Sequence, residues 1–273
     1  MSSNSSAAEG TDARRALHEA LAVELYAALA ERRTVPPLRT RYPQLTIDDA
    51  YAISLGILAR RERAGERVIG KKIGVTSRAV QDMLGVHQPD FGFLTDRMQV
   101  ADGGTVRIRD GMIQPRAEAE IALILNRALQ GPGVTPEDVL AATAHIAPCF
   151  EVVDSRIANW DIRIIDTVAD NASCGVFVLG AARANPRAHD LAQLKARVWK
   201  NERPLSEGLG SAVQGSPLAS VAWLANTLGA YGVELKAGEI ILSGSLVPLE
   251  PAQPGDHFRL ELEGVGSARV SFA

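Results

Sequence analysis

Between residues 12 and 33 apolar side chains recur at helical spacing, at Leu17, Ala20, Leu21, Leu25, Ala28 and Leu29, until Thr34-Val-Pro-Pro37 interrupts the pattern. A second helix is predicted from Ile47, with Thr46 as its N-cap, Asp49 in the box position and Gly65 near the far end. From Val68 the texture changes to short apolar runs separated by glycine and proline, which predicts β-structure with occasional helices. Strands are expected at 68–75, 118–125, 145–153, 174–179, 196–200, 239–242, 257–262 and 268–272, and helices at 77–84, 135–143 and 217–231. Thr135-Pro-Glu-Asp138 has the form of an N-cap followed by proline and first-turn acids. The expected fold class is α+β: a disordered tail over 1–11, a helical N-terminal part over 12–66, and a larger mixed β-rich catalytic domain over 67–273.

Composition narrows the functional classes. At 273 residues the chain can bury a substantial core without disulfides. Its two cysteines, Cys149 and Cys174, lie in apolar runs without CxxC spacing, as expected of reduced thiols in the cytoplasm. A net charge of −3 with scattered basic residues leaves no footprint for nucleic acid or an anionic membrane. The opening residues have neither a basic start nor an apolar h-region, and no long apolar span follows. No repeat of fixed period occurs. Gly208-Leu-Gly210 lacks the context of a dinucleotide fingerprint, and no serine sits in a GxSxG elbow. His18, His87, His145, His189 and His257 form no ligand or catalytic grouping.

The acids carry more information. Glu118 and Glu120 open the run Ile121-Ala-Leu-Ile-Leu125, and Glu151 sits within Cys149-Phe-Glu-Val-Val153. Residues two apart on a strand share a face, so the first two carboxylates can aim at one point. Three hard oxygen donors suit magnesium, manganese or calcium and leave positions for water and a chelating substrate. The alternative is a set of solvated strand acids, which the apolar neighbours on both faces make less natural.

Lys71 and Lys72, in Gly70-Lys-Lys-Ile-Gly74, must point to opposite faces, so one turns inward if the strand packs. A buried Lys72 beside a metal is expected to have its ammonium form disfavoured and to exchange protons near neutrality. The alternative is a surface lysine whose stem covers apolar area. Asp90, in the turn-like Gln88-Pro-Asp-Phe-Gly92, and Asp170-Asn-Ala-Ser173 are candidates for catalysis or for shaping a loop. Arg156 and the nearby Asp154 and Asp166 add charge close to Glu151; Arg156 is placed to pair with an acid or to hold a substrate carboxylate.

Five blocks in order, Lys72-Ile-Gly-Val-Thr-Ser77, Gln88-Pro-Asp-Phe-Gly92, Ile113-Gln-Pro-Arg-Ala-Glu-Ala-Glu-Ile121, Glu151-Val-Val-Asp-Ser-Arg156 and Asp166-Thr-Val-Ala-Asp-Asn-Ala-Ser173, closely resemble the 2-hydroxypenta-2,4-dienoate hydratases. That family, also called 2-keto-4-pentenoate hydratase, belongs to the fumarylacetoacetate hydrolase-like superfamily. The resemblance runs from about Leu21 to the C-terminus. It implies a mixed β fold, Mg2+ or Mn2+ held by Glu118, Glu120 and Glu151, and a small 2-oxo or 2-hydroxy dienoate substrate in meta-cleavage degradation of aromatic compounds. It implies a homo-oligomer too, a decamer built from pentamers being one form, and a pathway decarboxylase or aldolase as partner. By motif position Lys72 becomes the proton-transfer residue, Asp90 its helper or the water's, and Ser173, Asn171 and Arg156 the substrate-binding residues. Arg116 stands where a lysine is usual, Val75 where leucine is common, and Ser243-Gly-Ser-Leu246 where a Thr-Gly form is frequent.

The nearest rival within this resemblance is 2-oxo-3-hexenedioate (4-oxalocrotonate) decarboxylase, which shares the same blocks. The segment Ser155-Arg-Ile-Ala-Asn-Trp-Asp-Ile-Arg163 is similar to the hydratase form. A hydrolase of acylpyruvates would need an acid–histidine pairing that the chain does not display. A non-catalytic oligomeric partner subunit is the alternative from another class, and the intact Lys72, Glu118, Glu120 and Glu151 argue against it.

Overall fold

The structure, a computed structural model, describes residues 3–84, 86 and 88–273; His87 lies outside them. Its helices are α1 (Ser3–Glu31), α2 (Leu38–Arg41), α3 (Ile47–Arg63), α4 (Arg78–Leu84), α5 (Ile108–Gly111), α6 (Pro136–Ala142), α7 (Ile164–Ala169) and α8 (Pro217–Gly229). Its strands are β1 (Val68–Gly74), β2 (Asp90–Thr95), β3 (Gln99–Val100), β4 (Thr105–Val106), β5 (Arg116–Leu125), β6 (Thr143–Val153), β7 (Cys174–Leu179), β8 (Lys195–Lys200), β9 (Arg203–Leu209), β10 (Ile240–Ser245), β11 (Glu250–Pro251), β12 (His257–Leu262) and β13 (Gly266–Phe272).

The α+β class holds, and local signals account for most boundaries. Thr46 and Asp49 form the capping box that starts α3, and Thr135 and Asp138 form another at α6, with Pro136 in the first turn. Helix α1 begins at Ser3, so it takes in part of the stretch 1–11 that was expected to be a tail. Leu21, Ala22, Leu25 and Ala28 of α1 are buried with Ile53 and Ile57 of α3 in the main core, as the helical spacing requires. No helix among the described residues is long and apolar enough to cross a membrane.

The larger sheet runs β2-β1-β10-β5-β6-β7-β3, with β11 paired to β5; a second sheet runs β4-β13-β12-β8-β9. Within the larger sheet β1 pairs with β10 and β3 with β7 in parallel, while the other neighbours are antiparallel. The two faces of β5 do different things. Ala117, Ala119, Ile121 and Leu123 enter the main core, whereas Ala122, on the face of Glu118 and Glu120, enters a smaller cluster with Leu94, Cys149, Cys174, Phe177 and Leu242. That second apolar floor explains why the acids sit in a run apolar on both faces, and why both β5 carboxylates are buried rather than solvated.

Both Lys71 and Lys72 are buried, where one inward lysine was expected. β1 is an interior strand covered on both faces, so Lys71 also needs a partner and finds it in Glu239, whose carboxylate oxygens lie 2.7 and 2.6 Å from its Nζ.

Candidate active site

The registers bring the C-terminal ends of β1, β6 and β10 to the same edge as the starts of β2, β5 and β7. Glu118 faces Glu151 directly across β5 and β6, Glu120 faces Ser245 of β10, and Gly74 faces Asp90. One carboxylate oxygen from each of Glu118, Glu120 and Glu151 lies within 4.8 Å of the others. Lys72 Nζ stands 3.1 Å from Glu151 Oε1, an ion-pair distance without hydrogen-bond alignment. Lys72, Glu120, Glu151 and Asp90 are all at most 3% exposed.

Three acids around one ammonium leave negative charge uncompensated. Burial, reinforced by Glu151 and opposed by Lys72, pushes Glu118 up to about 8; burial and its two acidic neighbours hold Glu120 well above the usual carboxylate range. Glu120 Oε2 accepts the Gly244 N–H at 2.8 Å, but its Oε1 and both oxygens of Glu151 have no hydrogen-bond partner. Carboxylate oxygens converging from three side chains, with Glu120 Oε1 and both oxygens of Glu151 buried and left without donors, fit a hard divalent cation.

Burial lowers the Lys72 pKa, but, with no cation among the acids, Glu151, Asp90 and Glu118 more than offset that, and the ammonium is held above the ordinary lysine range. The expected ease of deprotonation concerns the metal-loaded site, where a cation would offset the acids that face Lys72.

Asp90, expected in a turn, is the first residue of β2, and burial pushes its carboxyl up against the pull of Lys72 and Thr167. Its Oδ1 has no hydrogen-bond partner. Opposite it, a Cβ on Gly74 would stand 2.3 Å from that oxygen and 3.2 Å from Lys72 Nζ, so only glycine lets the two groups meet here. Ser173 ends a run of three non-glycine residues with positive φ (52°, 50° and 54° from Asn171), and its buried Oγ is unpartnered.

Asn171 and Arg156 hold this turn in place. Asn171 Oδ1 accepts the Phe93 N–H at 2.8 Å and its Nδ2 donates to the Phe93 carbonyl at 3.1 Å, tying the turn to β2. Arg156, expected to pair with an acid or to hold a substrate carboxylate, takes the first role: it donates from Nε to Asp170 Oδ1 (2.5 Å), from Nη1 to the carbonyls of Asp154 (2.6 Å) and Cys174 (3.0 Å), and from Nη2 to the Asp170 carbonyl. Its fork is committed to the protein. Asp154 holds the Ile113 and Gln114 N–H groups that lead into β5, and Asp166 pairs with Arg39 at 2.8 Å. Arg116 stacks on Trp160 at 4.6 Å.

Thr76 was missed as a site residue. Its side chain fills the space a Cβ on Gly244 would need, at 2.5 Å, and Gly244 has φ +110°; the left-handed glycine in Ser243-Gly-Ser245 was the signal. Thr76 also lines a cavity of about 450 Å³ with Gln81, Pro89, Ser211, Gln214 and Trp223.

The description "Fumarylacetoacetate (FAA) hydrolase C-terminal" matches residues 67–273. The chain belongs to the fumarylacetoacetate hydrolase family. Within it, the chain falls with the hydro-lyases of the 2-hydroxydienoate (2-keto-4-pentenoate) hydratase branch. It is 61% identical over 249 residues to a 2-hydroxyhexa-2,4-dienoate hydratase of Comamonas testosteroni, covering 91% of this chain and 94% of that one. It is 60% identical over 210 residues to a 2-hydroxypent-2,4-dienoate hydratase of Pseudomonas putida, covering 77% and 95%. Among solved structures, 4-oxalocrotonate decarboxylase from Pseudomonas putida G7, complexed with magnesium and adipate, superposes with a TM-score of 0.92 at 37% identity over 95% of this chain and 98% of that chain.

Proposed function

We propose that this family member adds water to 2-hydroxypenta-2,4-dienoate, by way of its 2-oxo-3-enoate tautomer, to give 4-hydroxy-2-oxopentanoate in the meta-cleavage degradation of aromatic compounds. The observation that carries the reading is the convergence of carboxylate oxygens from Glu118, Glu120 and Glu151, with Glu120 Oε1 and both oxygens of Glu151 unpartnered, beside Lys72 and Asp90. Those three glutamates would hold Mg2+ or Mn2+, which supplies a Lewis acid for the negative charge that develops on the 2-oxo oxygen when water adds at C4.

The chain's own groups do the rest. Lys72 Nζ, between Glu151 and Asp90, is the proton-transfer group for the tautomerisation and for carbon protonation. Asp90, its carboxyl pushed up by burial and its Oδ1 unpartnered, orients the water or the lysine. The Ser173 hydroxyl has a bond to offer the substrate, and Asn171 and Arg156 keep it aimed. The apolar floor of Leu94, Phe177 and Leu242 limits water beneath the reacting carbons.

The decarboxylase reading has the 37% identical structure in its favour; the hydratase reading has relatives at 61% and 60%. Assembly as a homo-oligomer, a pathway decarboxylase or aldolase as partner, and a cytoplasmic setting in which the buried Cys149 and Cys174 stay reduced are parts of the same proposal. The test is to follow the dienoate absorbance with magnesium, with manganese and with chelator, and to weigh the product. A metal-dependent gain of one water supports hydration; turnover undiminished by chelator, or no turnover of the dienoate, overturns it.

A further inference from the structure

The cavity beside Thr76 continues the two strands that carry the proton-transfer pair. Thr76 stands just beyond Gly74 at the end of β1, and Pro89 immediately precedes Asp90 at the start of β2. A substrate whose carboxylate and 2-oxo oxygens face the glutamates, and whose C4 meets Asp90, therefore has its remaining carbons directed to this space. The space is larger than the smallest substrate needs: about 450 Å³, against roughly 30 Å³ for C5, the single carbon beyond C4, at about 30 Å³ per water-sized group.

The walls carry a chemical preference. Trp223 of α8 offers the large apolar surface, and Phe91 braces it at 6.4 Å between ring centroids. Among the described lining residues the one charged side chain is Arg78, which is largely exposed and paired with Asp82 at 2.9 Å. The amide nitrogens of Gln81 and Gln214 are engaged by the Val75 carbonyl (3.0 Å) and Ser220 Oγ (3.2 Å). A carboxylate at the far end of a substrate would meet no unpaired cation here, only the neutral donors of residues such as Gln88 and Ser211, which compensate lost hydration less well than a cation does.

Resting on the hydratase reading, we propose that this cavity receives the C5 end of the substrate and that Trp223 sets the enzyme's specificity, favouring uncharged substituents longer than methyl over a terminal carboxylate. The preference acts through contact with the indole face, so it is felt by tails long enough to reach it.

The test compares wild type, Trp223→Ala and Trp223→Phe in two ways. In turnover, the ratio of kcat/KM for a C5-propyl dienoate to that for the unsubstituted dienoate is expected to fall about tenfold in Trp223→Ala and to be largely kept in Trp223→Phe. In calorimetric titration of magnesium-loaded protein, wild type is expected to bind 2-oxooctanoate at least tenfold more tightly than 2-oxooctanedioate. If no dienoate is turned over, the hydratase reading fails, and the titrations still decide the cavity. Equal binding of the mono- and dicarboxylate, or the same tail-length ratio in folded Trp223→Ala and wild type, overturns the proposal; should Trp223→Ala not fold, the wild-type titration and Trp223→Phe decide it.

Discussion

Replacing Glu118 by glutamine should remove a pH-dependent weakness from the metal-free protein. In the folded chain Glu118 is pushed up to about 8, whereas an unfolded glutamate titrates near 4.3. The folded state therefore binds more protons than the unfolded state between those values, and stability falls as pH rises through that window. The size follows from geometry: two carboxylate oxygens no more than 4.8 Å apart at an effective dielectric constant near 20 repel by roughly 3 kcal/mol or more. Three pH units of proton linkage, from pH 5 to pH 8, correspond to about 4 kcal/mol at most, which is the same scale. Urea unfolding in chelator at pH 5 and pH 8 measures this, and taking Glu118→Gln minus wild type cancels the titrating groups remote from the triad and reports Glu118 together with its effect on Glu120. The variant should gain on wild type by a few kcal/mol across that range, and magnesium should reverse the order at pH 8. A pH-independent difference would refute the reasoning, because it would mean that the acids are not held together unneutralised.

Other outcomes follow from the same contacts. Lys72→Met should lower kcat by about 10²- to 10⁴-fold while magnesium binds at least as tightly, since a cation beside Glu151 is removed; turnover and metal titration check both halves. Asp170→Asn leaves the Arg156 guanidinium buried without its carboxylate and should cost about 3–5 kcal/mol in urea unfolding. Gly74→Ala inserts a Cβ 2.3 Å from Asp90 Oδ1 and should lower kcat about 10²-fold with metal affinity little changed, read by steady-state kinetics and calorimetry.

The Glu118 and Glu120 pair was legible because it follows a rule of period two within a strand whose apolar run is long enough to recognise, whereas Glu151, on the neighbouring strand, joined it through the family resemblance. Strands β7 and β12 were legible to the residue for the same reason. Strand β2 was not, because Gln88-Pro-Asp-Phe-Gly92 has turn chemistry at its start, and β9 was not, because Arg203-Pro-Leu-Ser-Glu-Gly-Leu209 lies at a sheet edge with mostly exposed positions and a proline. The commitment of Arg156 to Asp170, and the closeness of Gly74 to Asp90, arise from pairings between separate segments that no local spacing encodes. The same holds for Lys72: its burial could be anticipated from a glycine-bounded strand, while the charge around it depends on four strands meeting.

The most direct measurement offers the metal-loaded enzyme 2-hydroxypenta-2,4-dienoate and 2-oxo-3-hexenedioate side by side, with product mass and carbon dioxide recorded for each. Hydration of the first to 4-hydroxy-2-oxopentanoate, abolished by chelator and by Glu120→Gln, is the predicted result. Carbon dioxide released from the second without hydration of the first would contradict it.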